Sequence, residues 1–172
     1  MEKLLYVPNL LLRQKAKKIS YVGEEDIIIA NRMKEIMINA SGVGLAANQI
    51  GILKKIVTIF FIDKENKEEI KYTLFNPEII SYSEEKIIME EGCLSIPEQY
   101  AEIERPKDIT LKYINEKNEI IKKNLTGIES RILQHEIDHL SGKLFFDYLS
   151  SLKRNIMIKK VQKYLKTKMN EK

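Results

Sequence analysis

The sequence predicts an α+β fold, with largely antiparallel sheet packed around a central helix and a second helix closing the chain. Two observations carry this. Helical periodicity occupies a segment before and a segment after a run of short β-rich stretches, and the strand–helix alternation of a parallel sheet is missing. Within the β-rich run, Ile109, Leu111 and Tyr113 alternate with polar residues, Asn115 to Asn118 reads as a hairpin turn, and Glu119 to Leu125 returns.

In chain order, Leu4 to Ile19 is a short apolar segment with a Pro8-Asn9 turn and a helical turn around Leu11, Leu12 and Arg13. Glu24 to Ala40 predicts a helix. Acids at its start suit the dipole, and Ile29, Met33, Ile36 and Ala40 recur at helical spacing. Strands follow at Ile56 to Ile62, Ile70 to Phe75, Ile79 to Tyr82 and Lys86 to Met89, with a charged turn from Asp63 to Glu69. The next strand begins at Ile109. A helix from about Ser151 to 168 presents Leu152, Ile156, Val161 and Leu165 with lysines between them.

The 172 residues, 44% of them hydrophobic, can bury one core, and no linker or repeat divides them, so a single domain over 1–172 is expected. One cysteine excludes an internal disulfide. No apolar run reaches spanning length, and the opening residues lack a secretory cleavage pattern, so the expected setting is the cytoplasm, with no membrane or DNA partner. The net charge of +4 is a tail property. From Ser150 onward eight basic residues face one acid, while the preceding chain has 21 against 24. That tail is either a solvated face or a contact for an anionic partner such as ribosomal RNA.

Both histidines lie in Gln134-His135-Glu136-Ile137-Asp138-His139. On a helix the spacing of four puts His135 and His139 on one face, the geometry of two metal ligands, and Glu136 could serve as general base for water on the same metal. The helix has signalled ends: Thr126-Gly127-Ile128-Glu129 fits a capping box, and Gly142 fits the residue beyond its end. Ile128 and Ile132 continue the histidine stripe, while Leu133, Ile137 and Leu140 form another, so the helix belongs in the core. A third ligand is needed for an open site. Phe145 stands where one extended motif would place a third histidine, and Glu171, the only glutamate after His139, is in the terminal tail. The remaining soft donor is Cys93, in Glu90-Glu91-Gly92-Cys93-Leu94-Ser95. Asp138 is expected to orient the site or pair with Arg105 or Arg131.

The stretch Ser41 to Gly51 contains a G-x-G-x-x-A pattern, but helix precedes it and strand follows, the reverse of a dinucleotide fingerprint. It offers small residues for close backbone approach and the donor amide of Gln49.

Together, Gly42-Val43-Gly44-Leu45-Ala46-Ala47-Asn48-Gln49, Glu91-Gly92-Cys93-Leu94-Ser95 and the histidine motif resemble, in order and spacing, the three signature motifs of peptide deformylases. Similarity extends to Pro8 through Arg13, Asn76-Pro77 and Gly142 through Asp147. The resemblance implies that Cys93, His135 and His139 bind one divalent metal, commonly Fe²⁺, with Zn²⁺ or Ni²⁺ able to substitute, and that Glu136 is the acid/base. It implies that the Gln49 side chain and the Leu94 N–H hold the formyl oxygen. Val43, Gly44, Leu94, Ile128 and Ile132 fall where the family binds the formyl-methionyl substrate. Ser130, where alanine is frequent, and Tyr100 depart from the pattern. Rival readings are a zinc endopeptidase and a non-catalytic module that binds metal or ribosomes.

Overall fold

The computed structural model describes residues 3–63 and 67–170, so Met1, Glu2, the middle of the charged turn after Asp63, Glu171 and Lys172 lie outside the described residues. The element order is α1 (Glu24–Asn39), β1 (Gly44–Ala46), β2 (Ile56–Asp63), β3 (Glu68–Tyr82), β4 (Lys86–Cys93), β5 (Ile96–Pro106), β6 (Ile109–Ile114), β7 (Ile120–Leu125), α2 (Gly127–Leu140) and α3 (Ser151–Asn170). Single turns of 3₁₀ helix occupy Leu10–Arg13, Ala47–Ile50 and Phe145–Tyr148. All strand pairs are antiparallel. One sheet runs β1-β2-β3-β6-β7 and a second is the β4–β5 pair.

Strand alternation sends neighbouring residues of the large sheet to opposite faces, and each face receives a helix. Val57, Ile59, Leu74 and Leu111 pack with Ile132, Leu133 and Leu140 of α2. Ile56 and Phe75 pack with Ile29, Ala30, Met33 and Met37 of α1. A third cluster joins Ile96 and Ile103 of β5 to Phe145, Phe146 and Val161, and so seats α3 against the small sheet.

Several expectations shift. The segments Ile70 to Phe75 and Ile79 to Tyr82 are one strand, interrupted by a register shift where Asn76 adopts a left-handed φ of 51° ahead of Pro77. β5 was not anticipated. It carries Pro97, Pro106 and alternating charges, and its pairing partner β4 is what holds it extended. Along α1 the buried stripe runs through Met37, whereas Ala40 is an exposed cap residue. Along α3, Leu152 and Ile156 are exposed, and Met157, Ile158, Val161 and Leu165 face the core, because contact begins only past the first turn.

At α2 the expected capping box is not made. Thr126 forms no side-chain cap, and Glu129 instead accepts from Tyr72 Oη and from Lys123 Nζ at 2.7 Å. The other end behaves as expected. Gly142, at φ 75°, donates to His139 O at 2.9 Å and Lys143 N to Asp138 O at 3.0 Å, the two bonds of a Schellman motif. A Cβ at Gly142 would overlap the Arg13 carbonyl, so glycine also admits the N-terminal segment.

That segment, Gln14 to Gly23, crosses the molecule without regular structure. Asn76 exchanges two hydrogen bonds with the Ile19 backbone, at 2.8 and 2.7 Å, and Asn118 does the same with Val22, at 2.8 and 3.0 Å.

Candidate active site

β4 ends on Cys93 and α2 brings its histidines to it. Sγ lies 3.3 Å from His139 Nε2, which lies 3.3 Å from His135 Nε2, and the three donor atoms are all within 4.8 Å of one another. His135 and His139 are buried and Cys93 is partly buried. Such a cluster could hold a metal ion.

The donor set fits a divalent cation. Glu91 Oε2 receives His135 Nδ1 at 2.9 Å, which leaves the Nε2 lone pair facing Cys93 and His139. Burial pushes both imidazoles down. For His135 the hydrogen bonds of Cys93 and Glu91 and the charges of Cys93 and Glu136 outweigh it and carry the group well above its usual value. The negative field that attracts a proton there attracts a cation equally. For His139 burial acts with the nearby His135, Arg105 and Arg13 charges, and the ring is held well below its usual value, neutral and free to ligate.

Glu91 is itself clamped. Its carboxylate accepts Arg105 Nε at 2.6 Å, Arg105 Nη2 at 3.0 Å and Arg131 Nη1 at 2.8 Å. Burial raises its pKa, but His135 and Arg105 together hold the carboxyl far below the usual range. Arg105 also reaches Asp138 at 2.6 Å, so Arg105, not Arg131, is the partner of Asp138. Arg131 turns to Glu91 and to the carbonyls of Ile103 and Ile87. Glu91 was missed as a site residue. The usable signal was strand alternation, which puts it on the same face as Cys93 two residues later.

A cleft of about 560 Å³ opens onto the cluster, lined among others by Gly42, Val43, Gly44, Gln49, Leu94 and Glu136. Glu136 is buried, its Oε2 has no hydrogen-bond partner, and burial pushes its pKa up to about 7, with Glu91 adding to the shift and His135 and Arg105 opposing it. β1 passes close enough that a Cβ on Gly44 would lie 2.5 Å from Glu136 Oε1. Gln49 is fixed by three contacts. Its Oε1 accepts the Ala46 N–H at 2.9 Å, while Nε2 donates to Ser95 Oγ at 3.1 Å and faces Cys93 Sγ at 3.5 Å. Thus Cys93, His135, His139, Glu136, Gln49, Leu94, Val43 and Gly44 gather at one place. Ile128 and Ile132 do not line the cleft. Ile128 is half exposed near the start of α2, and Ile132 is turned into the core under the large sheet, a turn before the histidines.

The profile of the polypeptide deformylase family matches residues 1–155, a span that includes every residue just named. A peptide deformylase of Rhizobium meliloti is 39% identical over 168 residues, covering 98% of this chain and 96% of its own length. The crystal structure of peptide deformylase from Ehrlichia chaffeensis superposes with a TM-score of 0.93 at 32% identity, covering 98% of this chain and 99% of that one. The Met-Ala-Ser-bound class I type b enzyme of Acinetobacter baumannii superposes at 0.80 with 29% identity, covering 87% of this chain and 98% of its own. Sequence profile, curated relative and folded shape agree along the chain, which belongs to the polypeptide deformylase family.

Proposed function

We propose that this chain acts as one catalytic domain that removes the formyl group from the N-terminal formyl-methionine of newly made polypeptides, releasing formate. The observation that carries this reading is the buried Glu136 carboxylate, with one oxygen unpartnered, beside three converging donors at the end of an open cleft.

Cys93, His135 and His139 are the ligands in this reading, and a divalent cation held by them supplies Lewis-acid polarisation and water activation; mixed thiolate and imidazole donors suit Fe²⁺, with Zn²⁺ or Ni²⁺ as substitutes. Glu136 takes one proton from the attacking water and returns it to the amine nitrogen as the formyl C–N bond breaks, which yields formate and a free N-terminus. A buried carboxylate beside the ligand cluster, with one oxygen unpartnered, is placed to do both. Gln49 Nε2 and the Leu94 N–H are donors for charge developing on the formyl oxygen, each such donor being worth about 10²–10³ in rate. Val43 and Gly44 border the place for the methionyl residue. The Met-Ala-Ser peptide on the Acinetobacter relative is what deformylation of a formyl-Met-Ala-Ser substrate would leave.

The substrate is made in the cytoplasm, and this is where we place the protein; no helix among the described residues is long and apolar enough to cross a membrane. The lysine-rich outer face of α3 is a candidate contact for ribosomal RNA. Salt-dependent co-sedimentation with ribosomes, before and after deletion of the residues following Tyr148, tests that contact.

The decisive assay is formate release from a formyl-Met tripeptide, on protein purified without oxygen and loaded with Fe²⁺ or Ni²⁺. Turnover that a chelator abolishes is the expected result. No formate release from protein with stoichiometric bound metal would overturn the reading, and casein cleavage by the same preparation would favour an endopeptidase.

A further inference from the structure

Away from the ligand cluster, between α1 and the large sheet, lies a groove of about 750 Å³ that shares no lining residue with the cleft. Its size is that of a small-molecule site, about 300–1,000 Å³. Three parts of the chain build it. α1 supplies Met37 and Ile38, β2 and β3 supply Phe60 and Thr73, and the turn between β6 and β7 supplies Asn115 to Lys117. Ile114 stands opposite Phe75 in the β3–β6 register, so the turn that follows Ile114 comes up beside Thr73. The walls are fixed to one another. Lys34 of α1 pairs with Glu116 of the turn at 3.1 Å, and Asn115 Oδ1 accepts the N–H groups of Lys117 and Glu119, each at 2.9 Å.

Two independent features of this groove call for a ligand. Thr73 is 4% exposed and lines the groove, yet its hydroxyl has no hydrogen-bond partner among the described residues. Thr58, directly opposite on β2 and fully buried, has none either. Strand alternation puts both on the α1 side of the sheet, with Ile56 and Phe75. Buried hydroxyls without partners are costly, and valine would fill the same space without that cost.

The second feature is the charge around the opening. Glu116 takes Lys34, and Glu69 takes Lys71 at 2.5 Å, whereas the exposed Lys117 makes no ion pair among the described residues. Three ammoniums against two carboxylates leave one positive charge beside the Thr73 hydroxyl, the complement of a single anion. Met37, Ile38 and Phe60 make the remaining wall apolar. A solvated lysine face would account for Lys117, but not for the unpaired hydroxyls beneath it.

We propose that this groove is a second binding site, for a free medium-chain carboxylate such as decanoate. Its carboxylate takes the Thr73 hydroxyl and the Lys117 ammonium, and its aliphatic chain lies along Met37, Ile38 and Phe60. Such a ligand gives Thr73 an acceptor, sets one charge against one charge and removes apolar surface from water.

The test titrates decanoate, below its micellar concentration, into the full-length metal-loaded protein by calorimetry, with decanol as the neutral probe of the same chain length. One saturable site with a Kd of about 10–100 µM is expected, and decanol binds at least about tenfold more weakly. Lys117→Gln, on an exposed turn, weakens decanoate about tenfold. Thr73→Val removes a hydroxyl that bonds nothing in the protein, so it folds, and it weakens decanoate by a similar factor; Lys117→Gln alone decides the matter if it does not. No saturable site, decanol binding as tightly as decanoate, or decanoate affinity unaltered by Lys117→Gln would each overturn the assignment. None of these readouts depends on turnover, so they stand apart from the deformylase reading.

Discussion

Glu91 Oε2 stands 2.9 Å from His135 Nδ1 while Arg105 and Arg131 donate to the same carboxylate, so one buried acid both aims a ligand and ties down two guanidiniums. Glu91→Gln removes the charge and leaves Arg105 and Arg131, 2% and 3% exposed, without it. Metal affinity is expected to fall about 10- to 100-fold. Stability is expected to fall by about 3–5 kcal/mol, the usual result of breaking one side of a buried ion pair. Chelator competition and urea unfolding measure the two separately.

Glu136→Ala is expected to keep bound metal and lose about 10²–10⁴ in kcat. Gly44→Ala tests the same carboxylate without altering it, because the added methyl meets Glu136 Oε1 at 2.5 Å and must push it aside. We expect a kcat loss of at least about tenfold with metal content unaltered, since a small displacement of an acid/base group is costly. Wild-type turnover in both variants would remove Glu136 from the chemistry.

A partly buried thiolate on an open cleft is also a point of attack by oxygen. Protein loaded with Fe²⁺ is expected to lose activity in air faster than protein loaded with Ni²⁺, with mass added at Cys93 in step with the loss. Equal lifetimes would mean that the metal does not promote oxidation of this thiolate.

Acid sensitivity has a source outside the ligand cluster, at Asp147. Burial raises the Asp147 carboxyl, but Arg13, the Leu144 N–H and Arg154 outweigh it and hold the group below its usual value. A group lowered in the folded state adds stability above its unfolded pKa of about 3.9 and loses that stability as pH falls through the folded value. Urea unfolding should show the parent more stable than Asp147→Asn at pH 7, with the gap narrowing as pH drops below about 4.

The pairing of the two histidines on one face was legible because it depends on local geometry. His135 and His139 need only a helix, and Gly142 marks where that helix stops. What was hidden depends on neighbours distant in sequence. Thr126 and Glu129 have the letters of a capping box, yet Tyr72, 57 residues before Glu129, takes the carboxylate. β5 reads poorly as a strand because of its prolines and charges, and is one because β4 lies beside it. Ile132 sits on the histidine stripe, but the large sheet claims it before the cleft can. Nothing in the spacing around Glu91 foretells Arg105 and Arg131, which reach it from β5 and α2.

The Gln14 to Gly23 crossing is fastened near its start by backbone bonds of Ala16 to Leu140 and of Lys17 to Leu53 and Lys55, and farther along by side chains. Asn76 and Asn118 lie 57 and 96 residues away from the backbone groups they hold, so neither clasp can close until β3 and the β6–β7 turn are in place. Contacts so separated in sequence carry a larger loop-closure cost than local ones. Lys15, Lys17 and Lys18 are exposed along the crossing. A protease that cuts after lysine is expected to nick this strip sooner in Asn76→Ala or Asn118→Ala than in the parent.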